Sequence, residues 1–247
     1  MSRDESFYDK VGKVNGWDFS DLKVLSEGVE WDFYEEVKSR CNNTGVLLDI
    51  GTGGGENLLQ LSTSLLFTIG IDLSNEMIKK AEMNLKNSTV SNVRFFQMRA
   101  DELRFPDGFF DIVTSRHAPF SSKEVFRILK TSGRFMTQQV GESDKLNIKK
   151  AFGRGQSINE EDGALKERYI RELDEAGFSH VQAFEYDATE YYQRSEDLLF
   201  LLKHTPIVPD FGRDQNDNKI LNDFIEANRT DKGIRTNSKR FLIIGEK

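Results

Sequence analysis

From Gly45 onward, short apolar runs alternate with stretches whose apolar residues recur every three or four positions. That alternation predicts βα units wound around a parallel sheet. Residues 46–50 (VLLDI) read as the first and central strand, residues 55–64 carry Leu58, Leu59 and Leu61 at helical spacing, and residues 67–71 (FTIGI) read as a second strand. Together they make one right-handed crossover. Ser74 is placed to cap a helix whose Met77, Ile78, Ala81 and Leu85 share a face, running to about Lys86. Strands follow at 93–97 (VRFFQ), 110–114 (FDIVT) and 133–140 (GRFMTQQV), with a helix over 123–129 between the last two.

Beyond residue 140 the pattern loosens. A polar connector spans 141–159, a helix over 160–176 ends at Gly177 in the C′ position, and 179–186 (SHVQAFEY) reads as a sixth strand. The last strand is expected at 240–244 (RFLII), leaving an insertion over 187–238 with helical patterns at 195–203 and 215–229, parted by Pro206 and Pro209. The first 44 residues are aromatic-rich (Phe7, Tyr8, Trp17, Phe19, Trp31, Phe33, Tyr34) and are expected to form helices beside or over the sheet. A length of 247 residues suits one α/β domain, divided into an N-terminal helical segment (1–44), a ligand-binding core (45–186), an insertion or lid (187–238) and a final strand (239–247).

Composition narrows the partners. Hydrophobic residues at 37% and charged residues at 30% are ordinary for a soluble globular chain. Acidic residues number 41 against 34 basic, and the formal net charge of -7 repels a polyanion, which disfavours nucleic acid as a substrate. A basic stretch at 145–154 (KLNIKKAFGR) reads as a solvated helix face. Cys41 is the only cysteine, so neither an intrachain disulfide nor a zinc site with several thiolates is expected, and no metal is predicted. The count suits a reducing cytoplasm. The N-terminus carries no apolar stretch after a basic start, and no run reaches membrane-spanning length, so a cytoplasmic protein is expected.

The chemistry concentrates after the first strand, in Asp49-Ile50-Gly51-Thr52-Gly53-Gly54-Gly55. In an open parallel sheet, ligands bind beyond the carboxyl ends of the strands where the strand order reverses. Gly51 and Gly53 permit a tight turn and close approach of backbone to ligand, and Gly55 opens the next helix where packing leaves no room for a side chain. A strand-to-helix turn without a ligand also selects glycine, so the loop alone does not decide. Asp72 ends the second strand 21 residues after Gly51, the spacing of an acid that takes a ribose hydroxyl pair. A dinucleotide fingerprint starting at Gly51 or Gly53 would need glycine or alanine at Glu56 or Leu58, and neither is present. Glu56 would also face a pyrophosphate at the helix N-terminus. That is unfavourable for two phosphates and acceptable for a sulfonium with an amino-acid tail.

The segments VLLDIGTGGGE, GIDLS, ADELRFPDGFFDIVTS and FRILKTSGRF, in this order and spacing, resemble the successive motifs of class I S-adenosylmethionine-dependent methyltransferases. Within that family the chain is similar to the small-molecule group that includes the ubiquinone and menaquinone C-methyltransferases, over about residues 44–140. The resemblance implies a Rossmann-like, seven-stranded, mostly parallel sheet with helices on both faces, the last strand antiparallel, and a helical insertion between strands six and seven. It implies S-adenosyl-L-methionine as cofactor. Asp49 and the loop at Gly51, Thr52 and Gly53 would hold the methionine part, Asp72 the ribose hydroxyls, and Leu73 the adenine. Met77 either lines the adenine pocket or simply fills the core, and Ser115 is grouped with the cofactor contacts. After the third strand the family usually has Gly-Asp-Ala-Glu before Leu-Pro-Phe-Pro-Asp, whereas here Arg99 stands at the Asp position and Arg104 at the first Pro. Ala100 and Asp101 are then the candidates for the adenine edge, Asp101 in place of the missing acid.

Methyl transfer is one displacement at a sulfonium methyl, so the protein chiefly has to align the nucleophile, and only some acceptors need a base. The acceptor is expected near the end of the fourth strand, Thr114-Ser115-Arg116-His117-Ala118-Pro119-Phe120. His117 reads either as a general base or as a histidine hydrogen-bonded within its loop. Arg116 reads as a clamp for a substrate carboxylate or phosphate, or as a surface ion pair. Neighbours on a strand point to opposite faces, so one of Gln138 and Gln139 faces the cleft, and Gln138 is taken as the substrate contact. Tyr8, with Tyr191, Tyr192 or His204, would complete a lid or serve as packing. The Asn-Pro-Pro-aromatic or Asp-Pro-Pro-aromatic motif of amine methylation on bases or glutamine is missing. Its absence reduces base N-methylation, and a small-molecule acceptor, as in the group the chain resembles, is the main expectation. The alternatives are RNA or protein methylation, or a non-catalytic nucleotide-binding protein of the same fold.

Overall fold

A continuous apolar run such as VLLDI belongs in the middle of a parallel sheet covered on both faces. The computed structural model, which describes residues 21–247, places it there. The strands are β1 (Val24–Glu27), β2 (Val46–Ile50), β3 (Phe67–Asp72), β4 (Val93–Gln97), β5 (Phe110–Arg116), β6 (Leu129–Val140), β7 (Ser179–Tyr192), β8 (Arg229–Thr230) and β9 (Gly233–Glu246). They form one sheet in the order β1-β7-β9-β6-β5-β2-β3-β4, with β8 paired to β9. The helices are α1 (Phe33–Lys38), α2 (Glu56–Leu61), α3 (Asn75–Lys86), α4 (Ser122–Ile128), α5 (Leu146–Phe152), α6 (Ala164–Ala176), α7 (Ser195–His204) and α8 (Asp217–Ala227).

From β2 the chain steps to β3 and β4 on one side, then returns to β5 and β6 on the other, all in parallel pairs. The reversal leaves a crevice at the carboxyl ends of β2 and β5. β9 runs antiparallel to both β6 and β7. One face of the sheet packs Leu48, Ile50, Val113, Phe135 and Ile243 against Val125, Ile128 and Leu173 of α4 and α6. The other packs Leu47, Ile112, Met136 and Leu242 against α1, α2 and α3 through Val37, Leu58 and Ile78. A third cluster joins α5, α7 and α8 through Ile148, Leu198, Leu202, Leu221 and Phe224, with Tyr192 and Ile234 from the strands. Ser74 caps α3, its Oγ accepting from the Met77 N–H at 3.3 Å, and Gly177 closes α6 at φ +102°.

Four expectations need correction. The sheet has nine strands among the described residues rather than seven, because β1 and β8 add to it. β1 lies where only helices were expected. It pairs with Thr189 to Tyr192 at the open edge of β7, whose backbone groups there would otherwise lack partners. The insertion over 187–238 is not purely helical, since β7 runs on to Tyr192 and β9 already begins at Gly233, forming a long antiparallel ribbon beneath α7 and α8. The connector holds α5, and its basic stretch is solvated only in part, because Lys145 and Lys149 are both buried at 2% exposure while Lys150 is exposed. Tyr8 and the other aromatic residues before position 21 lie outside the described residues. No described helix is long and apolar enough to cross a membrane.

Candidate functional site

The turn from β2 into α2 is left-handed at Gly51 (φ +74°), Gly53 (φ +57°) and Gly55 (φ +75°). The N–H groups of Gly51 and Thr52 donate to the Ile71 carbonyl at 2.8 and 2.9 Å, tying the loop to the end of β3. A Cβ on Gly51 would fall 2.2 Å from the Ala118 Cβ, so the loop after β5 rests directly on this glycine. Gly55 caps α2, and a Cβ there would lie 2.5 Å from the Phe95 ring. Asn84 Nδ2 donates to both Glu56 Oε1 and the Gly54 carbonyl at 2.8 Å, fixing an acid in the first turn of α2.

Two carboxylates flank the loop. Asp49 is 2% exposed, and its Oδ1 accepts from Thr114 Oγ1 at 2.8 Å. Burial pushes its carboxyl up to about 6, and the charge of Asp72 adds to that, while the hydroxyls of Thr114 and Thr52 and the Arg116 charge oppose it. Asp72 accepts the Gly53 N–H at 3.0 Å on Oδ2 and the Ser74 N–H at 2.9 Å on Oδ1, joining the glycine loop to the start of α3. Next to it Leu73 is half-buried, and Met77 is fully buried. Ala100 is half-buried against the core, while Asp101 is exposed with both carboxylate oxygens on Arg99, at 2.9 and 2.7 Å. That fork holds the Asp101 carboxyl below its usual value. Ser115 is buried and donates to the Ala118 carbonyl at 2.9 Å, so its hydroxyl braces the loop that touches Gly51.

The face of the sheet that carries Leu47, Ile112 and Met136 turns polar toward its carboxyl edge. Asp49 pairs with Thr114, Arg116 with Gln138, and Arg240 with both Val140 and Tyr186. By strand alternation the side chains of Asp49, Thr114, Arg116, Gln138 and Arg240 share that face. α1 and the residue before its cap close over them: Trp31 Nε1 donates to Gln138 Oε1 at 2.8 Å, and its ring lies 4.5 Å from that of Tyr186. The Arg116 guanidinium lies 5.4 Å over the Tyr34 ring. Burial, then the charge of Asp49, raises the Tyr34 hydroxyl far above its ordinary value.

His117 sits at φ +57°, a left-handed position uncommon for a residue with a side chain, and its N–H donates to the Gln138 carbonyl at 2.9 Å. Its Nε2 is 3.3 Å from Gln138 Nε2. Burial holds the imidazole well below its usual range, and the charges of Arg240 and Arg116 push the same way, so the ring is neutral at neutral pH. Gln139 points to the opposite face, donating to the Ala118 carbonyl and to Thr137 Oγ1, both at 2.9 Å. Tyr192 and His204 are not brought here. Tyr192 is buried beneath the helical cap, and His204 stacks on Phe200 in α7.

Behind this edge lies a buried charge cluster. Arg240 Nη1 donates to Asp144 Oδ1 at 2.5 Å, Lys145 Nζ to Glu190 Oε2 at 2.8 Å, and Lys149 Nζ to the Glu142 carbonyl at 2.8 Å. Trp31, Tyr34, Tyr186 and Arg240 were missed in the sequence as site residues. The aromatic density before residue 44 signalled the first two, and a charge heading the apolar run RFLII signalled the last. Among the described residues no group of three or more His, Cys, Asp or Glu side chains could hold a metal ion.

A glycine turn between two acids at the switch point of a parallel sheet ending in an antiparallel strand defines the class I methyltransferase architecture. Residues 47–137 match the model of the methyltransferase domain family. It is 38% identical over 125 residues to the uncharacterized methyltransferase YcgJ of Bacillus subtilis (strain 168), covering 48% of this chain and 49% of that one. It is 32% identical over 158 residues to the demethylmenaquinone methyltransferase of Lactococcus lactis subsp. lactis (strain IL1403), covering 60% and 59%. The chain thus spans between about half and three-fifths of the length of these relatives. The crystal structure of YcgJ superposes with a TM-score of 0.62 at 22% identity, over 87% of this chain and 97% of that one. A S-adenosylmethionine-dependent methyltransferase from Aquifex aeolicus superposes with a TM-score of 0.54 at 18% identity, over 75% and 96%. Both structures show a shared fold.

Proposed function

We propose that this protein is an S-adenosylmethionine-dependent methyltransferase, built as one cytoplasmic domain, that methylates a small molecule at the carboxyl edge of its sheet. The observation that carries the reading is the pair of acids on either side of the glycine turn, Asp49 buried and Asp72 bonded to the Gly53 N–H. The donor set fits this cofactor. Asp49 is a buried acid lifted to about 6, and a cationic ligand group beside it would offset that burial. A carboxylate offers about four lone-pair directions, so the bonds to Gly53 and Ser74 do not preclude a ribose hydroxyl pair on Asp72. Glu56, fixed by Asn84 in the first turn of α2, disfavours a pyrophosphate.

In this reading Asp49 and the backbone at Gly51, Thr52 and Gly53 hold the methionine part, Asp72 the ribose, and Leu73, Met77 and Ala100 the adenine side. Asp101 would have to leave Arg99 to reach the adenine edge, and Ser115 acts through the loop it braces. Bound there, the cofactor would supply an electrophilic methyl group on its sulfonium. Arg116, His117 and Gln138 would align the acceptor behind the methyl. Trp31 and Tyr34 cover the same edge and exclude water.

Calorimetry tests the cofactor. S-Adenosylhomocysteine is expected to bind while NAD and NADP do not, and Asp72→Ala is expected to weaken it at least about tenfold, or about 1.4 kcal/mol. Wild-type affinity in that variant, or binding of NAD alone, overturns the reading. Incubating cell extract with isotope-labelled S-adenosylmethionine and the protein identifies the acceptor from the labelled product. A labelled RNA or protein in place of a small molecule would correct the substrate class.

A further inference from the structure

The orientation of one amide fixes where the proton sits on the histidine at the acceptor edge. The indole N–H of Trp31 can only donate, so the Gln138 atom 2.8 Å from it is the carbonyl oxygen. The other end of that amide is then its NH2 group, which also only donates, and it stands 3.3 Å from His117 Nε2. His117 Nε2 therefore accepts, and the single ring proton is on Nδ1. Turning the amide over would set its NH2 group against the Trp31 N–H, donor against donor, and leave the oxygen facing Nε2. The start of the relay is held in place, because the Trp31 ring packs 4.5 Å from Tyr186.

Two cations guard the same outcome. Arg116 and Arg240 both face the ring, and Arg240 is anchored on Asp144 at 2.5 Å, so a second ring proton would meet like charge from β5 and from β9. The backbone N–H of His117 is bonded to the Gln138 carbonyl at 2.9 Å, which fixes the residue at both ends. Among the described residues Nδ1 has no hydrogen-bond partner, which leaves it for a ligand.

We propose that His117 is a neutral Nδ1–H donor, held in that tautomer by Trp31 and Gln138, and that it binds an anionic oxygen of the methyl acceptor rather than removing the acceptor's proton. A carboxylate, phenolate or enolate oxygen is the group that an N–H on a ring under the positive charge of Arg116 and Arg240 retains. Binding of a methyl acceptor rests on the methyltransferase reading, whereas the tautomer does not.

Long-range proton–nitrogen correlation spectra of the 15N-labelled full chain, recorded from pH 5.5 to 8, read the tautomer directly. The chain has three histidines, and a His117→Gln variant assigns the signal. The expected result is a neutral ring with its proton on Nδ1 throughout that range. Trp31→Phe, or Gln138→Leu should the first variant not fold, is expected to shift His117 to a tautomer mixture while His180 and His204 keep their signals. A proton on Nε2 in the wild type, an imidazolium at pH 7, or an unchanged tautomer in the folded variants overturns the proposal. Binding of S-adenosylhomocysteine, measured on the same samples, separates this outcome from failure of the methyltransferase reading.

Discussion

Asp49 and Asp144 are both buried carboxylates at the same end of the sheet, yet their surroundings pull them in opposite directions. Asp49 has one firm neutral donor in Thr114 and a like charge in Asp72, and burial dominates, lifting it from 3.8 to about 6. Between those values the folded chain holds a proton that the unfolded chain has lost, so this residue's contribution is present below pH 4 and disappears as pH rises through 6. At pH 7.5 the charged Asp49 costs on the order of 3 kcal/mol in the ligand-free protein. Asp49→Asn keeps an acceptor for Thr114 and is expected to raise the thermal midpoint at pH 7.5, with the gain vanishing near pH 4, while cofactor binding is lost. Wild-type affinity for S-adenosylmethionine is expected to fall as pH drops below 6 in calorimetric titrations. The glycine turn gives a second residue-scale expectation. Gly51→Ala meets both a φ of +74° and the Ala118 Cβ at 2.2 Å, and should lower the urea-derived stability by about 2–4 kcal/mol.

The ribbon of β7 and β9 is joined to the loop before α5 by charges rather than by apolar contact. Burial opposes ionisation of Asp144, but Lys145 and Arg240 outweigh it and hold the carboxyl below its usual value. Removing it in Asp144→Ala leaves Lys145 and Arg240 without that counter-charge, and a loss of about 3–5 kcal/mol is expected in urea unfolding. Its stabilisation is present above pH 4 and is lost as pH falls, the reverse of Asp49, so the two variants separate in a pH series. These elements also show why the fold was only partly legible in the sequence. β2, β3 and β5 are covered on both faces and appear as continuous apolar runs that need no partner to be recognised. The second half of β7 (DATEYY) and the first half of β9 (GIRTNSK) mix buried and exposed positions, so they become strands only by pairing with each other and with β1. The glycine turn and Asp72 were legible because their spacing is local. The link from Trp31 to Gln138 crosses 107 positions and depends on how α1 packs, which no local pattern reports.

For the molecule as a whole, a charge of -7 combines with burial of Lys145 and Lys149, two of the four basic residues in the 145–154 stretch. Lys149 is bonded to a carbonyl of its own connector, and Lys145 to Glu190. No retention of a single-stranded RNA is therefore expected in gel-shift titrations at physiological salt, and salt-sensitive micromolar binding would contradict that expectation. The same packing gives the chain an optical use. Only Trp17 and Trp31 are present, and Trp31 has its indole N–H on Gln138 and its ring against Tyr186, one residue away from His117 in the relay. With Trp17 replaced by phenylalanine, the remaining emission comes from the wall of the acceptor edge, and a compound entering beside His117 changes its colour and intensity. Collections of small oxyanions can thus be screened by fluorescence before any methylated product is known.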